Sequence, residues 1–278
     1  MRISINNLQD MKDNGHKIPM LTAYDYTSAK IIENAGIELI LVGDSLGQVM
    51  LGLDSTLPVT MDNMIHHIKA VVRGTKRAHV VGDLPFLSYQ INESEAIKNA
   101  GMLLKEGGAQ SVKLEGGRHI APTVDKLVQN GIPVMGHIGL TPQSVNQLGG
   151  YHVQGKSFKS AIDIMEDARI LVEAGAYAIV LESIPDLLAK LITEKVAIPT
   201  IGIGSGIHCD GQVQVFHDIF GLFDDFSPKH VRRYADLSTT IKLASTQYIT
   251  DVQTGNFPSD KESYSMKQSL LEELMEQI

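Results

Sequence analysis

Residues 31–45 read IIENAGIELILVGDS, and the same arrangement returns at 103–117 as LLKEGGAQSVKLEGG, at 127–140 as LVQNGIPVMGHIGL and at 171–183 as LVEAGAYAIVLES. Each stretch runs from a helix-like end through a glycine into a short apolar run, and most of these runs lead to a polar residue. Gly36, Gly107, Gly131 and Gly175 stand where a helix C-terminus calls for positive φ, which glycine reaches without steric cost. Working outward, runs rich in Val, Ile and Leu occur at 18–24, 39–43, 79–82, 111–114, 132–136, 178–181, 198–203 and 213–216. Between most of them lie segments with apolar residues three and four apart, as in Ala96, Ala100, Met102, Leu103 and Leu104, or Ile162, Ile164, Met165, Ile170, Leu171 and Val172. Strands alternating with such helices predict βαβ units on a parallel sheet. Eight units in 278 residues average about 35 each, which fits an α/β fold of the closed (β/α)8 TIM-barrel type better than the competing doubly wound open sheet. No linker divides the chain. Residues 1–258 are therefore expected to be one barrel domain and 259–278 a helical C-terminal tail, where Leu270, Leu271, Leu274, Met275 and Ile278 share one stripe. Such a stripe packs either on its own domain or on another subunit.

Composition narrows the classes of function. Hydrophobic residues make up 43% of the chain, enough for a core that needs no disulfide or metal staple. With 24 Lys and Arg against 32 Asp and Glu, a net charge of −8, and no basic run longer than a pair, neither nucleic acid nor an anionic membrane is an expected partner. The start MRISINNLQDMKDNGHK has no signal-like apolar stretch, and nowhere do 18 apolar residues run together. Cys209 has no second cysteine to pair with, and beside Asp210 it reads as an unremarkable small residue and not a reactive thiol. A cytoplasmic location is expected.

In a (β/α)8 barrel, chemistry gathers where the strands end, because the loops there converge over the axis. The polar residues at those ends are Tyr24, Asp25, Asp44, Ser45, Asp83, Lys113, Glu115, His137, Glu182 and the glycine turn GIGSG at 202–206. Asp44, Asp83, Glu115 and Glu182 would crowd one mouth, and like charges at close range do not all stay ionised without a cation. Oxygen donors without cysteine point to Mg²⁺ or a similar hard ion. The alternative is that each acid caps the helix that follows it. Lys113 and Glu115 lie two apart and share a face. The lysine either forms a Schiff base or stays charged and holds a carboxylate, and the second fits a site where a metal already polarises a carbonyl. The stretch GDSLG at 43–47 matches a nucleophile elbow, but 48–52 reads as a loop instead of the helix that motif demands. The 202–206 turn is either a phosphate cup or a site of close backbone packing. His66 and His67 read as surface or packing residues, and 141–157 as a mobile cover over the mouth.

The strings LTAYDYTSAK, LVGDSLGQVMLGLDSTLPVTMDNMIHH, GDLPF, VKLEGG, GHIGLTPQSVNQLGGYHVQGK, LESIP, IGIGSG and DGQVQVFHDIFG resemble the ketopantoate hydroxymethyltransferases of pantothenate biosynthesis, from about residue 2 to 258. Ser205 departs from the family's usual alanine, and the tail after Pro258 follows it loosely. The resemblance implies a Mg²⁺-dependent barrel transferase that moves a hydroxymethyl group from 5,10-methylenetetrahydrofolate to 3-methyl-2-oxobutanoate through a Mg-stabilised enolate. The product would be 2-dehydropantoate, formed in the first step of that pathway. It further implies a homo-oligomer, a decamer, without a heterologous partner. Matched motif by motif, Asp44, Asp83 and Glu115 correspond to metal positions and Glu182 to the proton acceptor. Ser45 and Lys113, together with Asp44 and Asp83, correspond to substrate contacts. His137 either bonds the incoming oxygen or orients a neighbour.

Overall fold

Alternation along eight strands decides which side chains see the barrel axis. In the computed structural model, which describes residues 2–223 and 228–278, the strands are β1 (Ile18–Thr22), β2 (Leu39–Val42), β3 (His79–Asp83) and β4 (Ser111–Glu115), followed by β5 (Val134–Gly139), β6 (Ala178–Glu182), β7 (Thr200–Ile203) and β8 (Gly211–Gln214). They pair in sequence order, all parallel, and β8 closes on β1. The expected (β/α)8 barrel is the fold. Leu39 and Leu41 point inward and pack with Met20, Val81, Met135, Val180 and Val213, while Ile40 and Val42 point outward with Val80, Val112, Leu114, Ile179 and Leu181 to meet the helices. The inward parity carries His79 and Ser111 to the floor, and Asp83, Lys113, Glu115, His137 and Glu182 to the mouth.

The helices are α1 (Ile5–Asp13), α2 (Tyr26–Asn34), α3 (Leu46–Val49), α4 (Met61–Gly74), α5 (Glu93–Met102) and α6 (Ala121–Gln129), then α7 (Val145–Leu148), α8 (Phe158–Glu173), α9 (Asp186–Lys195), α10 (Phe216–Ile219), α11 (Leu237–Thr254) and α12 (Gln268–Met275). Local chemistry sets their ends. Thr60 and Asn63 cap α4 reciprocally, so its buried face of Met64, Ile65, Ile68 and Val71 starts in the right phase. Helix α1 precedes the first strand, and its Leu8 joins the interior cluster beneath the barrel. The last two helices differ: α11 and α12 contain no buried residue, and Leu270, Leu271, Leu274, Met275 and Ile278 are all exposed. Among the described residues no helix is long and apolar enough to cross a membrane.

Three local expectations change. Gly36, Gly131 and Gly175 have positive φ, but in the second unit it is Gly108 that turns left-handed (φ 84°), because α5 continues through a π turn over Leu103–Gly107. Gly107 is needed for contact instead, since a Cβ there would lie 2.9 Å from Ile68. The eighth strand begins at Gly211, two residues ahead of the apolar run. A Cβ at Gly211 would meet the Ile18 carbonyl oxygen at 2.3 Å, so a residue without a side chain lets β8 close on β1. The short helix α3 follows Gly43-Asp44-Ser45 where a loop is expected, yet Ser45 bonds to the Tyr24 phenol at 2.8 Å and not to an imidazole.

At the barrel floor His79 bonds the Ile3 carbonyl through Nδ1 (2.9 Å) and Ser111 through Nε2 (2.8 Å). Burial drives its pKa down to about 4. The folded protein thus refuses a proton that the unfolded chain takes near pH 6.5. Stability from this residue is full above about pH 6.5, falls as pH drops toward 4, and the loss approaches about 3 kcal/mol. Denaturant titrations at pH 7 and 4.5 are expected to show His79→Gln losing less stability than the parent between the two pH values. Equal losses would refute the assignment.

Candidate active site

A cleft of about 1660 Å³ opens at the strand ends, and Asp44, Ser45, Asp83, Lys113, Glu115, His137 and Glu182 all line it. The expected convergence of strand-end residues is therefore present. Asp44, Asp83, Lys113, Glu115 and His137 are each at most 5% exposed, while Glu182 is partly open to solvent. None of the four acids caps a helix. The caps that follow their strands are Ser45, Asn92, Ile120 and Pro185, whereas Asp25, at the end of the β1 connection, does cap α2 through the Thr27 and Ser28 amides. Asp25 thus has a structural partner set of its own, apart from the cluster.

Lys113 is the centre of charge. Its Nζ lies 2.8 Å from Asp83 Oδ1, 3.3 Å from His137 Nδ1 and 4.0 Å from Glu115 Oε1. Burial works against its charge, but Asp83, Glu115 and Asp44 more than offset it, so the ammonium persists. That disfavours a neutral amine able to form a Schiff base. His137 stands between Glu115 (Nδ1 to Oε1, 3.5 Å) and Glu182 (Nε2 to Oε2, 3.1 Å). Burial and Lys113 push its pKa down, yet the two carboxylates prevail and hold it at about 9. The two carboxylates thus favour a proton on the ring, and its Nε2 faces Glu182 at ion-pair distance. Asp44 is the opposite case: burial, then Asp83 and Glu115, raise it well above the carboxylate range, and its amide donates to Asp83 Oδ2 at 3.0 Å.

The segment 141–157 contributes a residue that sequence reading passed over. Gln143, 4% exposed, donates its amide N–H to Glu115 Oε2 (2.9 Å) and its Nε2–H to Asp44 Oδ2 (2.8 Å) and the Leu84 carbonyl (2.9 Å). Its Oε1 accepts from the Tyr89 hydroxyl (2.8 Å), which also accepts from the Glu115 amide. This glutamine stitches the cover to two acids from different strands. Its only sequence signal is Pro142, which starts a tight 3-10 turn. Tyr151 and Val153 of the same segment line the cleft. His66 is exposed, and His67 bonds the Tyr24 carbonyl at 2.6 Å as a packing residue. The 202–206 turn packs closely, with a Cβ at Gly202 falling 2.9 Å from Cys209 Sγ and one at Gly206 2.5 Å from Asp186. Ser205, the departure from the resembled pattern, donates to the Leu181 carbonyl at 2.7 Å.

The charge of the cluster fits a hard divalent cation. Four carboxyl groups face one ammonium and one imidazolium, every anionic donor is oxygen, and the acid with the most raised affinity for a proton, Asp44, sits beside Asp83. Among the described residues, no group of three or more His, Cys, Asp or Glu side chains stands in an arrangement that would itself hold a metal ion. Asp83 and Glu115 direct their oxygens to Lys113 and to the Asp44 and Gln143 amides.

A family model described as ketopantoate hydroxymethyltransferase matches residues 2–260. A 3-methyl-2-oxobutanoate hydroxymethyltransferase of Carboxydothermus hydrogenoformans is 59% identical over 273 residues, 98% of this chain and 99% of that protein. One from Chloroflexus aurantiacus is 60% identical over 266 residues, 96% and 94% of the respective chains. Among solved structures, 2,3-dimethylmalate lyase, a PEP mutase/isocitrate lyase superfamily member, aligns with a TM-score of 0.61 at 15% identity, covering 99% of this chain and 98% of the other. Phosphonopyruvate hydrolase aligns with a TM-score of 0.59 at 11% identity, covering 100% and 96%. These two share the fold.

Proposed function

Because the chain belongs to the ketopantoate hydroxymethyltransferase family, and so carries the hydroxymethyl transfer of the 3-methyl-2-oxobutanoate step in pantothenate formation, we propose that 5,10-methylenetetrahydrofolate is its one-carbon donor and Mg²⁺ its metal. The observation that carries the mechanism is a charged lysine and a histidine-held carboxylate facing one cleft. Asp44, Asp83 and Glu115 would hold the metal, which when bound polarises the 2-oxo group and stabilises negative charge on its oxygen. Lys113 stays protonated beside Asp83 and, with the Ser45 hydroxyl, fixes the substrate carboxylate. Asp44 and Asp83 also border the bound 2-oxo acid. Glu182 takes the C3 proton, and the electron pair of that C–H bond becomes the enolate. One of the two carbon–nitrogen bonds of the donor's methylene opens as C3 bonds to that carbon, and one water displaces the second nitrogen to supply the hydroxyl group. The proton taken from C3 and the second proton of the water end on the two freed nitrogens, leaving tetrahydrofolate and 2-dehydropantoate. His137 pairs with Glu182 by charge at 3.1 Å and keeps its carboxylate aimed at the cleft.

The direct assay incubates the protein with Mg²⁺, 3-methyl-2-oxobutanoate and methylenetetrahydrofolate and measures 2-dehydropantoate, with a chelator in a parallel reaction. Product formation undiminished by the chelator would refute the metal, and no product with this donor would refute the folate. The proposal includes self-association, up to a decamer. The exposed apolar side chains Ile241, Tyr248, Leu270 and Leu274 on α11 and α12 support it, since a packed surface that stays uncovered is costly in water. Light scattering is expected to give a mass several times that of one chain, and a monomer at micromolar concentration would refute it.

A further inference from the structure

The cleft at the strand ends is larger than the ~300–1000 Å³ common for small-ligand pockets, and the mechanism above uses only the wall built by β2 to β6. Opposite β4 in the closed strand order lie Gln214 at the end of β8 and Asp218 on α10, and Thr56, from the loop between α3 and α4, lines the same cavity. Gln214 Oε1 and Thr56 Oγ1 are buried with no hydrogen-bond partner, and Thr56 as a whole is 3% exposed. A buried polar atom left unpaired costs about 1–3 kcal/mol, so such atoms beside a cavity mark places where a ligand completes the bonding.

Asp218 belongs with them. It lies in the first turn of α10, where an acid often serves as a cap, but its behaviour is the reverse of a cap's. Asp25, which accepts two backbone amides, is held low, whereas burial raises Asp218 to about 6 against the opposing charge of Arg233. Asp218 is also close enough to act electrostatically on the Tyr24 phenol, whose hydroxyl bonds Ser45. One phenol therefore separates this group from the substrate-binding wall. A glutamine carbonyl and a carboxyl group in one cleft complement a ligand edge that presents adjacent N–H groups, and a carboxylate pairs with such an edge through two parallel bonds.

We propose that Gln214, Asp218 and Thr56 form the seat of the donor's heterocycle, with Asp218 and Gln214 accepting from the ring N–H and the amino group of its aminopyrimidinone edge. The inference rests on the folate reading above and gives that ligand its place across the barrel mouth from Lys113.

The test measures calorimetric affinity for tetrahydrofolate and for its 2-deamino analogue in the parent, Asp218→Asn and Gln214→Met, with circular dichroism to establish that each variant is folded. The parent is expected to prefer tetrahydrofolate by at least ~10-fold, the loss that follows when a buried acceptor is left without its donor. Asp218→Asn is expected to bind tetrahydrofolate at least ~10-fold more weakly and to shrink the preference below about threefold, and Gln214→Met to weaken binding ~5-fold. Parent-like affinity and preference in both variants would overturn the inference alone. A parent that binds 3-methyl-2-oxobutanoate but not tetrahydrofolate would overturn the folate reading with it.

Discussion

Glu182→Gln is expected to slow exchange of the C3 proton of 3-methyl-2-oxobutanoate with deuterated water by at least ~10²-fold, the lower range of what a positioned base contributes, while Mg²⁺-dependent affinity for the 2-oxo acid stays nearly unchanged. The geometry behind the expectation is a carboxylate that alone among the four remains partly open to the cleft and is held from behind by His137 at 3.1 Å. Asp83 and Glu115 are engaged with Lys113 and with backbone amides, so neither is free to receive a proton from carbon. His137 is the other candidate by position, and the two carboxylates beside it raise its affinity for a proton, which makes it a weaker acceptor in the metal-free site. Proton NMR of the C3 position reads the exchange directly, with or without folate. Parent rates in the variant would transfer the role to another group and refute the assignment.

The second large effect separates binding from stability in two neighbouring acids. Asp44→Asn is expected to weaken Mg²⁺-dependent binding of the 2-oxo acid by at least ~10²-fold while leaving the metal-free protein as stable as the parent or more so. Burial and the charges of Asp83 and Glu115 already disfavour an ionised Asp44, and an asparagine oxygen can still accept from Gln143 Nε2. Asp83→Asn is expected to lose the same binding but also about 3 kcal/mol of stability, because Lys113 would lose the partner 2.8 Å away and remain a buried charge. Calorimetric titration of Mg²⁺ with the 2-oxo acid, paired with denaturant unfolding of the metal-free proteins, measures both. Unchanged binding in both variants would refute the metal assignment. An equal stability loss in both would refute the assigned charge balance.

Repetition and parity are local properties, and they made the barrel readable from the chain. The glycine-to-strand joints at 31–45, 103–117, 127–140 and 171–183 count the units, and alternation along each strand already implies that Lys113 and Glu115 share a face with a neighbouring strand's Asp83. The acids at the mouth were legible for the same reason, since a strand that ends in a carboxylate delivers it to the rim whatever the loops do. The roles of Gly107 and Gly211 were not, because the close approaches they permit are to Ile68 and Ile18, residues distant in sequence.

Only the tertiary structure decided what each polar group does. Gln143 looks like any loop glutamine until the chain folds and sets it against Asp44, 99 positions away, and Glu115. Asp25 and Asp218 are both aspartates next to a helix start, yet one accepts backbone amides and the other lies half-buried on the cleft wall. Periodicity records which face is apolar and therefore specifies the fold. The protonation and hydrogen bonding of a side chain depend on burial and on charges a few ångströms away, and those distances exist only after the barrel has closed.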